Sequence, residues 1–150
     1  MVNRFERFSF AMFEISRCWH KLAGDEMLRY GLKGPHAIYL ITLAQYPDGI
    51  TATQLCELCG RDKSDVSRAM STMVQKGLVV REDAAGTYRA RLALTDAGLA
   101  AARQVCQRAA LAVELAGQGF DPDQRQVFYS VLDTITDNLQ QLCRKGLPEA

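Results

Sequence analysis

Residues 51–95, TATQLCELCGRDKSDVSRAMSTMVQKGLVVREDAAGTYRARLALT, decide how this chain is read. Thr51 and Gln54 have the spacing of a capping box that opens a helix, and Gly60 supplies the left-handed residue that closes it. Asp62 then starts a second helix, with Asp65 three residues on, where its carboxylate returns the cap and suits the helix dipole. Residues advance by about 100° along a helix, so over 62–76 Val66, Ala69, Met70 and Met73 share one side. Ser64, Arg68, Ser71 and Gln75 share the other, flanked by Ser67 and Thr72.

That outward face differs from an ordinary solvated helix, which carries more Glu and Lys. Small hydroxyls let a backbone approach a nucleic-acid groove closely, while Arg and Gln reach base edges or phosphates. A plain polar solvent face is the competing reading of the helix taken alone. The sequel decides between them. Gly77 ends the helix, LVVRE reads as a short β-branched strand, and Asp83–Gly86 reads as a turn. Residues 87–94 return as a strand with Tyr88, Ala90, Leu92 and Leu94 on one face and Arg89, Arg91 and Ala93 on the other. Helix, turn, helix and a hairpin with arginines near its tip is the order of a winged helix-turn-helix, whose second helix lies in the DNA major groove.

The run DKSDVSRAMSTMVQKGLVVRE, followed by LTDAG at 94–98, resembles the MarR family of bacterial transcriptional regulators. The resemblance is specific over 62–98 and looser elsewhere, although length and helix order also fit. It implies a mainly α fold with a small β-hairpin wing, a winged helix-turn-helix framed by N- and C-terminal dimerisation helices. The chain is then a single domain over 1–150, with dimerisation helices at about 3–30 and 120–146 and the DNA-binding lobe at 35–98. One feature departs from the family. Its wing usually carries Asp-x-Arg or Asp-Arg-Arg before the returning strand, where this sequence has Gly86, Thr87 and Tyr88.

The composition is that of an ordinary globular domain. At 150 residues the chain can bury a proper core, and it has no apolar run long enough to span a bilayer. The N-terminal MVNRFERFSF lacks the features of a secretory signal, so a cytoplasmic protein with no membrane partner is expected. A net charge of +1 argues against a generally adhesive nucleic-acid binder. Locally, however, Arg61, Lys63, Arg68, Lys76, Arg81, Arg89 and Arg91 outnumber Asp62, Asp65, Glu82 and Asp83. Phosphate contacts need only local charge and make binding salt-dependent.

Taken in order, the chain opens with a helix expected from an Asn3–Glu6 capping box to about Tyr30, loosened at Gly24. Phe5, Phe8, Met12, Ile15, Trp19 and Leu22 recur at spacings of three and four, and Phe10 and Phe13 lie off that seam. Pro35 fits the first turn of the next helix, where HAIYLITLAQY is apolar nearly all round and reads as buried. Tyr46–Gly49 is a turn, and Ile50 is placed to add a residue of strand against the wing. After the wing, Thr95 caps a helix with a stripe of Leu99, Ala102, Cys106, Ala109 and Val113. Gly117-Gln118-Gly119 breaks it, and Asp121-Pro122 starts the last helix, ending near Gly146. Its broad apolar face comprises Val127, Phe128, Val131, Leu132, Ile135, Leu139 and Leu142. Terminal helices with surplus apolar surface are hard to satisfy in a monomer, so residues 3–22 and about 120–146 predict a homodimer.

Other constellations carry less. Cys56-x-x-Cys59 has no second ligand pair at zinc spacing; it is either a dithiol switch or, with Leu55 and Leu58, packing for its helix. Peroxide-sensing MarR proteins place a reactive cysteine early in the first helix. The matching position here is nearer Ser9, with Phe13 where that branch has tyrosine, which leaves Cys18 as the candidate for oxidation. His20 and His36 with Cys18, Asp25 and Glu26 do not make a persuasive metal site, and the helix after the wing lacks the histidines of zinc-responsive relatives. No metal or cofactor is expected, and no catalytic constellation suggests an enzyme. The family's regulatory pocket implies Arg17, Trp19, His20, Met27, His36 and Tyr39, a group suited to a small aromatic acid.

The sequence therefore predicts a sequence-specific DNA-binding regulator, a repressor by family habit, acting as a homodimer on a palindromic double-stranded operator. Ser64, Ser67, Arg68 and Ser71 would read the groove, with Gln75 reaching bases or phosphates. Lys63, Lys76, Arg81, Arg89 and Arg91 would hold phosphates. A small-molecule effector would alter the spacing of the two recognition helices. Two alternatives stay open: a winged-helix dimer with a degenerate DNA face used for protein–protein contact, and a thiol-based redox-responsive repressor.

Overall fold

A computed structural model describes residues 3–82 and 90–149. The chain divides into two compact units, 1–110 and 111–150. In the first, α1 spans Arg4–Met27, and Asn3 Oδ1 accepts from the Phe5 N–H at 3.3 Å. The expected Asn3–Glu6 capping box does not form: Asn3 caps the helix through Phe5, one residue earlier. The helix stops three residues short of Tyr30, in a 3-10 turn over Leu28–Tyr30 that Gly31 closes at φ +65°. Gly24 does not loosen α1, which runs through it unbroken. A Cβ on Gly34 would come within 3.1 Å of the Gly24 amide nitrogen, so the two glycines mark a close approach of the next turn to α1.

Pro35 lies in a second 3-10 turn, Gly34–His36, which leads into α2 (Ala37–Ala44). Tyr39, Leu40 and Leu43 of α2 are buried, whereas Ile38 is exposed. A helix of two turns has one side against the core, so its all-round apolar pattern overstates its burial. The Tyr46–Gly49 turn forms, with the Gly49 N–H donating to Tyr46 O. Strand β1 (Ile50–Thr51) follows as expected and pairs with the returning wing strand.

Helix α3 (Ala52–Cys59) opens on the Thr51–Gln54 capping box and closes on Gly60 at φ +60°. Helix α4 (Lys63–Gln75) starts at Asp62, whose Oδ1 accepts from the Asp65 N–H at 2.8 Å. Val66, Ala69, Met70 and Met73 are buried, the four that the periodicity selects. Strands β2 (Val79–Glu82) and β3 (Arg91–Leu94) complete an antiparallel sheet in the order β1-β3-β2, with Val79 opposite Leu94 and Ile50 opposite Leu92. Leu92 and Ala93, on opposite faces of β3, are both buried, so Ala93 does not share an exposed face with Arg91.

Helix α5 (Asp96–Ala116) corrects the sequence reading. Its buried residues are Gly98, Ala101, Ala102 and Val105, while Cys106 is exposed and Leu99, Ala109 and Val113 are half-buried. Near its start Gly98 packs against Leu78, the residue before β2. A Cβ there would lie 1.9 Å from Leu78 O, so only a hydrogen fits. In the second unit, Ala116 ends α5 and the Asp121–Gln124 capping box starts α6 (Pro122–Lys145). Arg125 donates to Glu114 and to Gly117 O, securing the turn. No residue of α6 is buried. Among the described residues no helix is long and apolar enough to cross a membrane.

Candidate nucleic-acid interface

The outward face of α4 is held by what lies behind it. Its four buried side chains join one core with Leu40, Leu43, Leu55, Leu78, Val79 and Leu92, drawn from α2, α3 and the sheet. Val66, Met70 and Met73 each contribute roughly 1.5–3 kcal/mol by leaving water, so the helix cannot easily roll about its axis. The far end is also tied. Thr95 Oγ1 donates to Gly77 O at 2.6 Å and accepts from the Gly98 N–H at 3.1 Å, joining the turn after α4 to the start of α5.

On this support Ser64, Ser67, Arg68, Ser71 and Gln75 are all exposed along the side of α4 away from its four buried residues. Two hydroxyls are partly occupied. Ser64 Oγ donates to Asp62 Oδ1, and Thr72 Oγ1 donates back to Arg68 O within the helix. Among the described residues nothing accepts a hydrogen bond from the Arg68 guanidinium. The Asp62 carboxyl sits below its ordinary range because the Asp65 N–H and the Ser64 hydroxyl both donate to it. It is thus a charged cap at the positive end of the helix dipole.

The expected phosphate contacts do not form one patch. Lys63 is the first of the 13 residues of α4 and Lys76 follows the last, at opposite ends of a helix about 20 Å long. Lys76 Nζ lies over Gly31, 2.7 Å from where a Cβ would sit. Arg81 is exposed on β2. Arg91 Nη1 donates to Gly49 O at 3.3 Å, so it braces the turn before β1 and keeps only its other guanidinium donors for a ligand. Arg89 and the Asp83–Gly86 turn, with Thr87 and Tyr88, lie outside the described residues.

The residues expected around a regulatory pocket are distributed differently. Met27 and Tyr39 are fully buried core residues. Arg17 is exposed and paired with Glu14, whose carboxyl it holds below the usual range. Trp19 and His20 are exposed, and the His20 ring bonds to Ser16. His36 is half-buried beside Tyr39, with ring centroids 6.3 Å apart. Its pKa is lowered first by burial, against the opposing pull of Asp65. The Tyr39 hydroxyl is already committed: it donates to Asp65 Oδ2 at 2.7 Å. Asp65 therefore does not return the cap to Asp62 as the sequence suggested. Nothing local announced this bond, since its partners are 26 residues apart.

Cys56 and Cys59 pack against the core, and Cys59 Sγ lies 3.4 Å from Thr42 Oγ1. This is the packing alternative, except that Leu58 is exposed. Cys18 is exposed beside Glu14 and Arg17. Among the described residues no group of His, Cys, Asp and Glu is arranged to hold a metal ion.

Fold and site together define a winged helix-turn-helix protein. Residues 30–90 match the model of the MarR family, and the segment they span belongs to that family. Solved structures extend the likeness to nearly the whole chain. A MarR transcriptional regulator from Methanosarcina mazei Go1 shares 22% identity, with TM-score 0.80 over 95% of this chain and 94% of that one. Another MarR family transcription regulator shares 20% identity, with TM-score 0.85 over 95% of both chains. A MarR family regulator from Listeria monocytogenes, solved with a 26mer DNA, shares 18% identity, with TM-score 0.75 over 100% of this chain and 99% of that one. At these identities the likeness is one of fold. No curated protein matches the chain.

Proposed function

We propose that this protein is a sequence-specific DNA-binding transcriptional regulator, a repressor that acts as a homodimer on a palindromic operator. The observation that carries the reading is the outward face of α4, where Ser64, Ser67, Arg68, Ser71 and Gln75 stand exposed opposite four buried anchors. Arg68 is the residue of this face with bidentate reach to a guanine edge, and the serines permit close approach. Lys63, Arg81 and the free donors of Arg91 hold phosphates. The Listeria neighbour, solved with DNA, supports a duplex as the ligand of this fold.

Dimerisation supplies the geometry. The apolar faces of α1 and α6 are exposed, with Phe10 at 71% and Val127 at 62%, and a second copy would cover them. A two-fold axis then presents two recognition helices to half-sites about one helical turn apart, and bivalency raises the affinity of two modest contacts. A small aromatic effector would act through Arg17, Trp19, His20 and His36, which retain accessible surface, rather than through Met27 or Tyr39.

The test is binding of the purified chain to DNA from immediately upstream of its own gene, at two salt concentrations and against a scrambled duplex. The expected result is preference for the upstream DNA with affinity falling steeply as salt rises, by a log–log slope of about −0.9 per neutralised phosphate. Arg68→Ala should abolish the preference while leaving weak salt-sensitive binding. Equal affinity for both duplexes would overturn the reading and favour a protein–protein role.

A further inference from the structure

We infer that Tyr39 is a positioning residue for DNA reading: it holds the Asp65 carboxylate against α2 and so keeps the Arg68 guanidinium available to the groove. This rests on the DNA-reading role proposed for α4. The first turn of a recognition helix is the part that comes nearest the bases, and here that turn carries two carboxylates, Asp62 and Asp65. Both are anionic and repel phosphate, and hydrogen bonds decide where each carboxylate points. Asp62 is occupied by the Asp65 N–H and the Ser64 hydroxyl. Asp65 is occupied from behind, by the hydroxyl of the fully buried Tyr39 at 2.7 Å.

The position of Arg68 gives this bond its consequence. Asp65 and Arg68 stand at i and i+3, the spacing at which a carboxylate and a guanidinium pair along a helix. Among the described residues the ion pairs join Glu14, Asp25, Glu26 and Glu114 to other partners, and Arg68 joins none. With its Oδ2 engaged by Tyr39, Asp65 is directed toward α2. Burial, and then the bond to Asp65, push the Tyr39 phenol well above its ordinary value, so it remains a donor through the neutral range. Without that hydroxyl, the half-buried Asp65 regains the freedom to pair with Arg68 and to set its charge against the DNA.

The test measures affinity for the preferred duplex with the full chain as wild type, Tyr39→Phe, Asp65→Asn and the double variant. Tyr39→Phe should bind about tenfold more weakly, the scale of one hydrogen bond to a charged group. The double variant should recover to within about twofold of wild type, because the released side chain is then neutral. Asp65→Asn alone should bind at least as tightly as wild type. Thermal midpoints separate this from packing, since the single and double variants carrying Tyr39→Phe both lose the buried bond but only the single one loses affinity. Wild-type affinity in Tyr39→Phe, failure of Asp65→Asn to restore it, or weaker binding by Asp65→Asn alone overturns the inference. A wild-type chain with no duplex preference would instead overturn the DNA-reading role, and this inference with it.

Discussion

Helices α4 and α6 are patterned by the same rule and meet opposite fates. Both have an apolar stripe at helical spacing and a side-chain cap on the first turn. In α4 the stripe is fully buried, against α2, α3 and the sheet. In α6 none of the stripe is buried: Val131 is 50% exposed, Val127, Phe128, Leu139 and Leu142 are exposed as well, and Leu132 and Ile135 are half-buried. Periodicity specifies that a helix has an apolar side; it does not specify what covers it. For α4 the cover is this chain. For α6 it is, in our proposal, another copy.

Core truncation gives the largest effect that separates the two helices. Met73→Ala empties a fully buried site and should cost about 2–5 kcal/mol of unfolding free energy by denaturant titration. Leu139→Ala in α6 should show a cost that grows with protein concentration, because its burial depends on mass action between chains. A loss below about 1 kcal/mol for Met73→Ala would show that α4 is not anchored as described.

A smaller effect tests how α4 is joined to the helix that follows the wing. Gly98→Ala forces a methyl onto Leu78 O and should cost about 1–3 kcal/mol, seen as a lowered thermal midpoint. An unchanged midpoint would mean that α5 does not dock there. The smallest effect concerns pH. Burial lowers the His36 pKa below its ordinary 6.5, so the unfolded chain takes up a proton that the fold resists. The resulting stability is present in full above 6.5 and declines as the pH falls from there toward the lowered folded value. His36→Gln should flatten that part of the stability profile, and a profile unaltered by the substitution would remove His36 from the account.

What was legible in the sequence follows the same division. Local rules placed Thr51–Gln54 and Asp121-Pro122 at helix starts, Gly60 at a left-handed close and Val66, Ala69, Met70 and Met73 in the core. Each depends on residues within a turn or two of one another. Helix α5 was misjudged because alanine and glycine carry little hydrophobic signal, and the close contact of Gly98 with Leu78 is tertiary. Arg91 was assigned to phosphate from its strand face beside the wing and Tyr39 to a pocket from the family resemblance, whereas tertiary contacts engage Arg91 Nη1 with Gly49 O and the Tyr39 hydroxyl with Asp65. The exposed face of α4 was visible as a pattern; the bond that keeps Asp65 from it was not.

Sedimentation equilibrium of the free protein at micromolar concentration tests the contrast between α4 and α6 most directly, with Val131→Asp alongside. The account predicts a particle of twice the 16.7 kDa chain mass for wild type, and dissociation toward single chains when a charge is set in the α6 stripe. A wild-type particle of 16.7 kDa would contradict it, leaving the apolar face of α6 without the second copy on which the paired recognition helices depend.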